Sequence, residues 1–394
     1  MKMENGKKRQ WIVWALRAGL GIYGGLCLYL FYMQSVQPLD YNNRYFQSDL
    51  PYHISMIVDD GWYYSFTAYV YQLLYRIAGG TALIAVFLAA AGVLCIVATD
   101  RLLALLLDRD GTDAVTLAGA FALNFAMAFF WPYAGQFRYV SYQSGNLWHN
   151  STYQCMKLAA LAAFICYIKV EAGYRERMTA GQWTALAATL FVCTGIKPSF
   201  LTVFAPILAL KLLADLRRKV PFRQVFLLGS TVLPACGVVL WQNIVLFGEE
   251  TGNGISFAPW YTFSLHANRT KLAVVCSVAF PLAVLFFSVG ELLRDGRYRF
   301  VWGMTGLGFL EALCLVETGS RSRDGNFLWG YCIAIFLIFV LSFEKWLRLL
   351  KRRGEGLFYR AGFWVCGCVL VYQVLGGVYF FARLLSGETY FMAG

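Results

Sequence analysis

Asp49 and His53 stand four residues apart in the stretch Ser48-Asp49-Leu50-Pro51-Tyr52-His53, and Asp59 and Asp60 follow shortly after. A carboxylate and an imidazole at that spacing share one face of a helix. Asp49 could take a proton from a hydroxyl while His53 orients it. The pair could also hold a divalent cation such as Mg2+ or Mn2+, although two ligands are too few to define a metal centre. Asp59 and Asp60 are neighbours and diverge on a helix. One of them could be a second acid, and Asp60-Gly61 also fits the cap of a following helix. The plainer reading of the stretch is a solvated loop with ordinary surface charges.

Other polar residues of this kind recur at a few places. His149 and Asn150 close the segment Asn146-Leu147-Trp148-His149-Asn150, and His266 shares a loop with Glu249 and Glu250. A further loop holds Glu317, Arg321, Arg323, Asp324 and Asn326. His149, Asn150, His266, Glu317 and Asn326 are candidates for a substrate pocket. Arg321 and Arg323 suit bidentate contact with a phosphate, unless Glu317 pairs with one of them. Lys197, directly before Pro198, could meet the same phosphate or simply snorkel to a membrane surface. Asn150-Ser151-Thr152 and Asn268-Arg269-Thr270 match glycan-acceptor sequons, which matter only in a secretory pathway.

The elements that must position these groups are apolar. Of 394 residues, 59% are hydrophobic and 14% charged, and the net charge is +12. Continuous apolar runs of about 20 residues exclude a soluble domain and a strand barrel and indicate an all-α polytopic membrane protein. The Lys and Arg lie in short clusters between runs, so the charge marks topology and not nucleic-acid binding. The 11 cysteines lie almost all inside apolar runs and have no C-x-x-C spacing, so they read as small buried residues.

We expect about eleven spans. They lie near 11–33, 81–99, 114–132, 155–171, 183–196, 199–214, 224–247, 271–290, 300–316, 328–346 and 361–382. The first follows Lys7-Lys8-Arg9 and reads as an uncleaved anchor. Most of the 34 Lys and Arg then fall on one side, which puts the N-terminus in the cytoplasm and the C-terminus outside. All three histidines fall in outer loops. Between the first two spans, Trp62 to Ala78 is amphipathic, with Tyr63, Phe66, Thr67, Val70, Leu74 and Ile77 on one face, and reads as an interfacial helix. The whole chain, 1–394, reads as a single membrane domain without a soluble one.

The order of elements over 10–220 resembles the GT-C superfamily of integral membrane glycosyltransferases. It has a first span, an outer loop with an early Asp, an interfacial helix, and a short span ending in Lys197-Pro198 with an immediate return. Residues 221–394 would be additional transmembrane helices. The resemblance implies a bacterial plasma-membrane enzyme that takes a hexose or pentose from a polyprenyl-phosphate donor. The acceptor would be a glycan, lipid or protein. It implies Asp49 as the base with Asp59 or Asp60 as fallback; His53 in support, and donor phosphate on Lys197, Arg321 and Arg323, are readings of the residues themselves. The family's common Asp-Glu pair is absent, because Leu50 follows Asp49. The competing class is a transporter or flippase for a glycolipid or envelope precursor. That class predicts charges lining a path and discontinuous helices.

Overall fold

The computed structural model describes residues 2–40, 42–247 and 254–393, so Glu249 and Glu250 lie outside the described residues. Helix α1 (Lys2–Ser35) carries the first apolar run. The short helix α2 (Leu50–Val58) has Pro51 in its first turn, where a missing N–H costs nothing. Helix α3 (Phe66–Ala78) begins at Ser65, whose hydroxyl accepts the Ala68 N–H, and ends at Gly79 with φ +64. Ser65, and not Asp60, therefore caps it. Thr67, Ala68 and Tyr71 form its buried face, whereas Ile77 is exposed.

Helix α4 (Ala82–Leu106) is followed by α5 (Ala114–Phe125), which starts in an Asp113–Thr116 capping box. The run expected to reach residue 132 leaves the helix at Phe125, because Ala126 is extended and Pro132 lies ahead. Its backbone finds partners elsewhere: Met127 N–H donates to Gln373 O and Phe129 N–H to Cys276 O. An irregular, mostly buried segment, 126–150, leads to α6 (Ser151–Glu171). Helix α7 (Ala180–Ile196) ends at Lys197, which Pro198 holds extended at φ −159, ψ 127. Then come α8 (Ser199–Arg217), α9 (Phe222–Ser230) and α10 (Leu233–Phe247).

Strand β1 (Ile255–Phe257) pairs antiparallel with β2 (Leu315–Glu317), setting Ile255 opposite Glu317. The short helix α11 (Tyr261–Ser264) precedes a break in the expected eighth span. That span becomes α12 (Thr270–Ser277) and α13 (Ala279–Phe287), bent by 67°. Helices α14 (Val289–Arg294), α15 (Gly296–Cys314), α16 (Leu328–Arg352) and α17 (Leu357–Leu385) complete the bundle. Among the described residues, seven helical segments are long and apolar enough to cross a membrane, or eight if the bent pair is one span. The chain is thus an all-α, polytopic membrane protein. Helix α5, at 12 residues, spans about 18 Å, short of a bilayer core of about 30 Å.

Helix α16 is the axis of the bundle. Its residues from Trp329 to Lys345 are buried on every side, as befits a helix that is apolar all round. Close approach is possible because Gly308 of α15 faces the Tyr331 backbone, where a Cβ would come within 2.9 Å of Tyr331 Cα.

The two ends of the bundle differ chemically. Helices α6, α8 and α16 run from one end, where Asn150, Pro198 and Trp329 meet, to the other. At the second end Asp215 binds Lys211 (2.7 Å), Arg175 (3.2 Å) and the Tyr174 hydroxyl. Lys345 there meets Asp295 (2.5 Å) and Glu344 (2.9 Å). Burying such charges is tolerable only because each is paired.

Candidate functional site

Asp49 is the residue before α2 and is half-buried. Its N–H donates to His149 O (3.0 Å), and its carbonyl accepts the His53 N–H (3.0 Å). Its carboxylate Oδ2 accepts from Asn150 Nδ2 at 2.6 Å. Asn150 uses its other side-chain atom as the cap of α6, accepting the Tyr153 N–H (2.8 Å) and the Thr152 hydroxyl (3.0 Å). One amide thus ties the first loop to the start of α6. Asn150 is only 4% exposed, so the sequon reading of Asn150-Ser151-Thr152 is corrected: no glycan could be attached there without unfolding the site.

His53 follows one turn later, with Nδ1 2.8 Å from the Tyr64 hydroxyl. Burial pushes its imidazole down to about 4, with Lys197 pushing the same way and Asp49 opposing. His149 is likewise held down at about 4 by burial, against the pull of Asp49. Both rings are therefore neutral at pH 7. Burial pushes the Tyr64 phenol up to about 12, so its proton stays on.

Lys197 is placed by the helix end that Pro198 enforces. Its Nζ lies 4.4 Å from the centroid of the Trp329 ring and 3.4 Å from Thr152 Oγ1. Burial lowers its pKa to about 8, Asp49 raises it, and Arg321 lowers it further. A chain of contacts runs on from Trp329. Its Nε1 donates to Asn326 Oδ1 (3.3 Å), and Asn326 Nδ2 donates to Glu317 Oε2 (2.8 Å). Glu317 pairs with Arg321 Nε at 3.0 Å, and Asp324 lies 3.6 Å from the same atom. The pairing of Glu317 with an arginine, one of the two sequence alternatives, is what forms.

Asp49, His53, His149, Asn150, Lys197, Glu317, Arg321 and Asn326 therefore form one connected site. The site is recessed, since Trp148 Nε1 donates to Tyr23 OH (3.2 Å), about three turns before the end of α1. Asp59 and Asp60 are not part of it. They are exposed at the far end of the nine-residue α2, roughly 13 Å along its axis. Arg323 is exposed on a 3₁₀ turn, and His266 packs between Phe137 and Phe391. Among the described residues, no three His, Cys, Asp or Glu side chains gather to hold a metal.

Sequence reasoning missed Tyr64, Thr152, Trp329 and Tyr390, whose ring stacks on that of His149 at 4.2 Å. Trp329 carried a signal, standing one turn beyond Asn326 at the start of an apolar run. The others are ordinary residues that only the tertiary arrangement brings in.

The arrangement offers a carboxylate held by an amide, two neutral imidazoles, a lysine over the Trp329 ring, and an arginine paired with carboxylates. It can accept a proton at Asp49 and stabilise an anion at Lys197, whereas Arg321 already carries Glu317 and Asp324. The chain matches no protein-family model, and no curated protein matches it.

Proposed function

We propose that the protein is a membrane glycosyltransferase of the GT-C kind, acting on a polyprenyl-phosphate-linked sugar. The observation that carries this reading is that one chain of hydrogen bonds joins the carboxylate to the ammonium: Lys197 Nζ donates to Thr152 Oγ1 (3.4 Å), Thr152 to Asn150 Oδ1 (3.0 Å), and Asn150 Nδ2 to Asp49 Oδ2 (2.6 Å). In the proposed step an acceptor hydroxyl attacks the anomeric carbon and gives its proton to Asp49. The bond from that carbon to the phosphate oxygen breaks. The lipid phosphate leaves with the electron pair toward Lys197, since Arg321 is paired with Glu317 and Asp324. One displacement without an enzyme nucleophile inverts the centre. Arg323, exposed on its turn, has no part in this scheme.

The resemblance over 10–220 supports this reading, but the site also draws on Glu317 to Trp329. The catalytic unit we propose is therefore the whole bundle. In the membrane, α5, α7, α12 with α13, and α15 complete eleven crossings and α3 lies in the interface. The end rich in Lys and Arg faces the cytoplasm and the site faces outward.

A transporter or flippase is the second reading. The early end of α5 and the break between α12 and α13 are what discontinuous transport helices look like. It ranks second because the protein's own groups occupy those helix ends. Asn146 Nδ2 donates to Leu123 O and Ala126 O, and Gln373 Oε1 accepts the Phe280 N–H. Purified protein incubated with glucosylated farnesyl phosphate separates the two. Release of farnesyl phosphate, by transfer or slow hydrolysis, supports the enzyme. Movement of the intact lipid across a vesicle without cleavage supports the carrier.

A further inference from the structure

Residues 386–393 leave the end of α17 and cross back over the site as a strap. On the first loop, Phe46 N–H donates to Gly387 O (2.9 Å), and Thr389 Oγ1 donates to Gln47 Oε1 (2.5 Å). Farther on, Arg138 N–H donates to Met392 O (3.1 Å), and Phe137 pairs with Ala393 in a single antiparallel bridge. Gly387, at φ +94, makes the turn, where a side chain would be strained and would crowd the Phe46 ring.

Two rings lie between these anchors. Phe391 packs on Phe137 and His266, with centroids 6.3 and 5.6 Å away. Tyr390 lies flat on the His149 imidazole, centroids 4.2 Å apart and planes 18° from parallel. His149 is also flanked by Tyr139 at 4.8 Å and Trp329 at 6.4 Å, tilted 51° and 45° from the imidazole plane, so the three rings make an aromatic floor cupped around His149. Burial, then the charge of Asp49 and the neighbouring Tyr52, push the Tyr390 phenol up. His149, on which Tyr390 lies, also accepts at its carbonyl the N–H of Asp49 (3.0 Å), the residue that the glycosyl-transfer reading makes the base. A six-membered ring flat on the His149 plane, beside that residue, is how a pyranose would lie. Its C–H face packs on aromatic planes and its hydroxyls meet polar groups at the edge.

We propose that the strap is a lid, and that Tyr390 holds the place on the Tyr139–His149–Trp329 floor that the sugar ring of the lipid-linked donor takes when the lid opens. The inference rests on the glycosyl-transfer reading and names the sugar subsite within it. Opening exchanges one ring stack for another, breaks the hydrogen bonds that anchor the strap and unpacks Phe391 and the buried Met392.

A reversible lock tests it. Partners in an antiparallel bridge have Cα atoms about 4.5–5.5 Å apart, within disulfide reach, so Phe137→Cys with Ala393→Cys should close the strap on oxidation. The background carries Cys236→Ala and Cys368→Ala, removing the two exposed cysteines among those described. Binding of farnesyl phosphate, bare and glucosylated, is followed by tryptophan fluorescence. We expect oxidation to erase the affinity that glucose adds over the bare probe, and reductant to restore it. Tyr390→Ala should tighten the glucosylated probe by about twofold to tenfold, the worth of one ring stack, and leave the bare probe unchanged. Equal binding of glucosylated probe by the locked and reduced forms overturns the lid, and weaker binding by Tyr390→Ala overturns the placeholder. Bare probe that binds with no preference for glucose in the reduced protein sinks this inference alone. Failure of the bare probe to bind wild type sinks the glycosyl-transfer reading along with it.

Discussion

Lys197 titrates near neutrality because burial disfavours its charge, and this makes it the residue through which pH acts on the site. Its ammonium is present below about pH 8 and is lost above it, so binding of a lipid phosphate should weaken as pH rises through 8. Fold stability runs the other way. Between about 8 and the ordinary lysine value the unfolded chain holds a proton that the folded chain lacks, so raising pH through that window stabilises the fold. Loss of binding there without loss of fold would assign the effect to the charge. Lys197→Arg should keep farnesyl phosphate binding flat to pH 9, and a fall in that variant would point to another group. His53 and His149 should add no titration between pH 5 and 7, since burial holds both at about 4. Asp49, His149, Asn150, Lys197 and Arg321 were legible as chemistry-bearing types in an apolar chain. Tyr64, Tyr139 and Tyr390 were not, because among 24 tyrosines nothing local marks the three that reach the site.

At the scale of elements, hydropathy located the long helices but not where they stop. The third and eighth runs are apolar throughout, yet one leaves the helix at Phe125 and the other bends at Val278. Apolar composition cannot reveal this, because the freed backbone groups are satisfied by residues far away in sequence. Gln373, fully buried in the middle of α17, is the clearest case. Its Nε2 donates to Met127 O (2.8 Å) and its Oε1 accepts the Phe280 N–H (3.1 Å). Gln373→Leu keeps the volume and strands both groups, which should cost about 1–3 kcal/mol for each. Thermal unfolding in detergent should show a clear drop, and an unchanged midpoint would mean that these groups find other partners. The Lys197-Pro198 helix end, by contrast, was readable, since proline acts on its immediate neighbour alone.

The whole molecule is polarised, with the recessed site at one end and the paired charges of Asp215 and Lys345 at the other. The sequence carried this polarity in the placement of Lys and Arg, a property of many residues that survives errors in single boundaries. Cysteines introduced at Ser322 and Arg218 should differ. An impermeant thiol reagent applied to intact cells should label the first and spare the second, and the reverse pattern would invert the frame. The central claim is glycosyl transfer with Asp49 as base, in a site built from both halves of the chain. Single-turnover release of farnesyl phosphate from its glucosylated form tests it most directly, comparing wild type with Asp49→Asn, Asp59→Asn and Asp60→Asn. The account predicts a rate lowered by about 10²–10⁴ in Asp49→Asn with donor binding nearly intact, and near-wild-type rates in the other two. Full activity in Asp49→Asn, or loss confined to Asp59→Asn or Asp60→Asn, would contradict it.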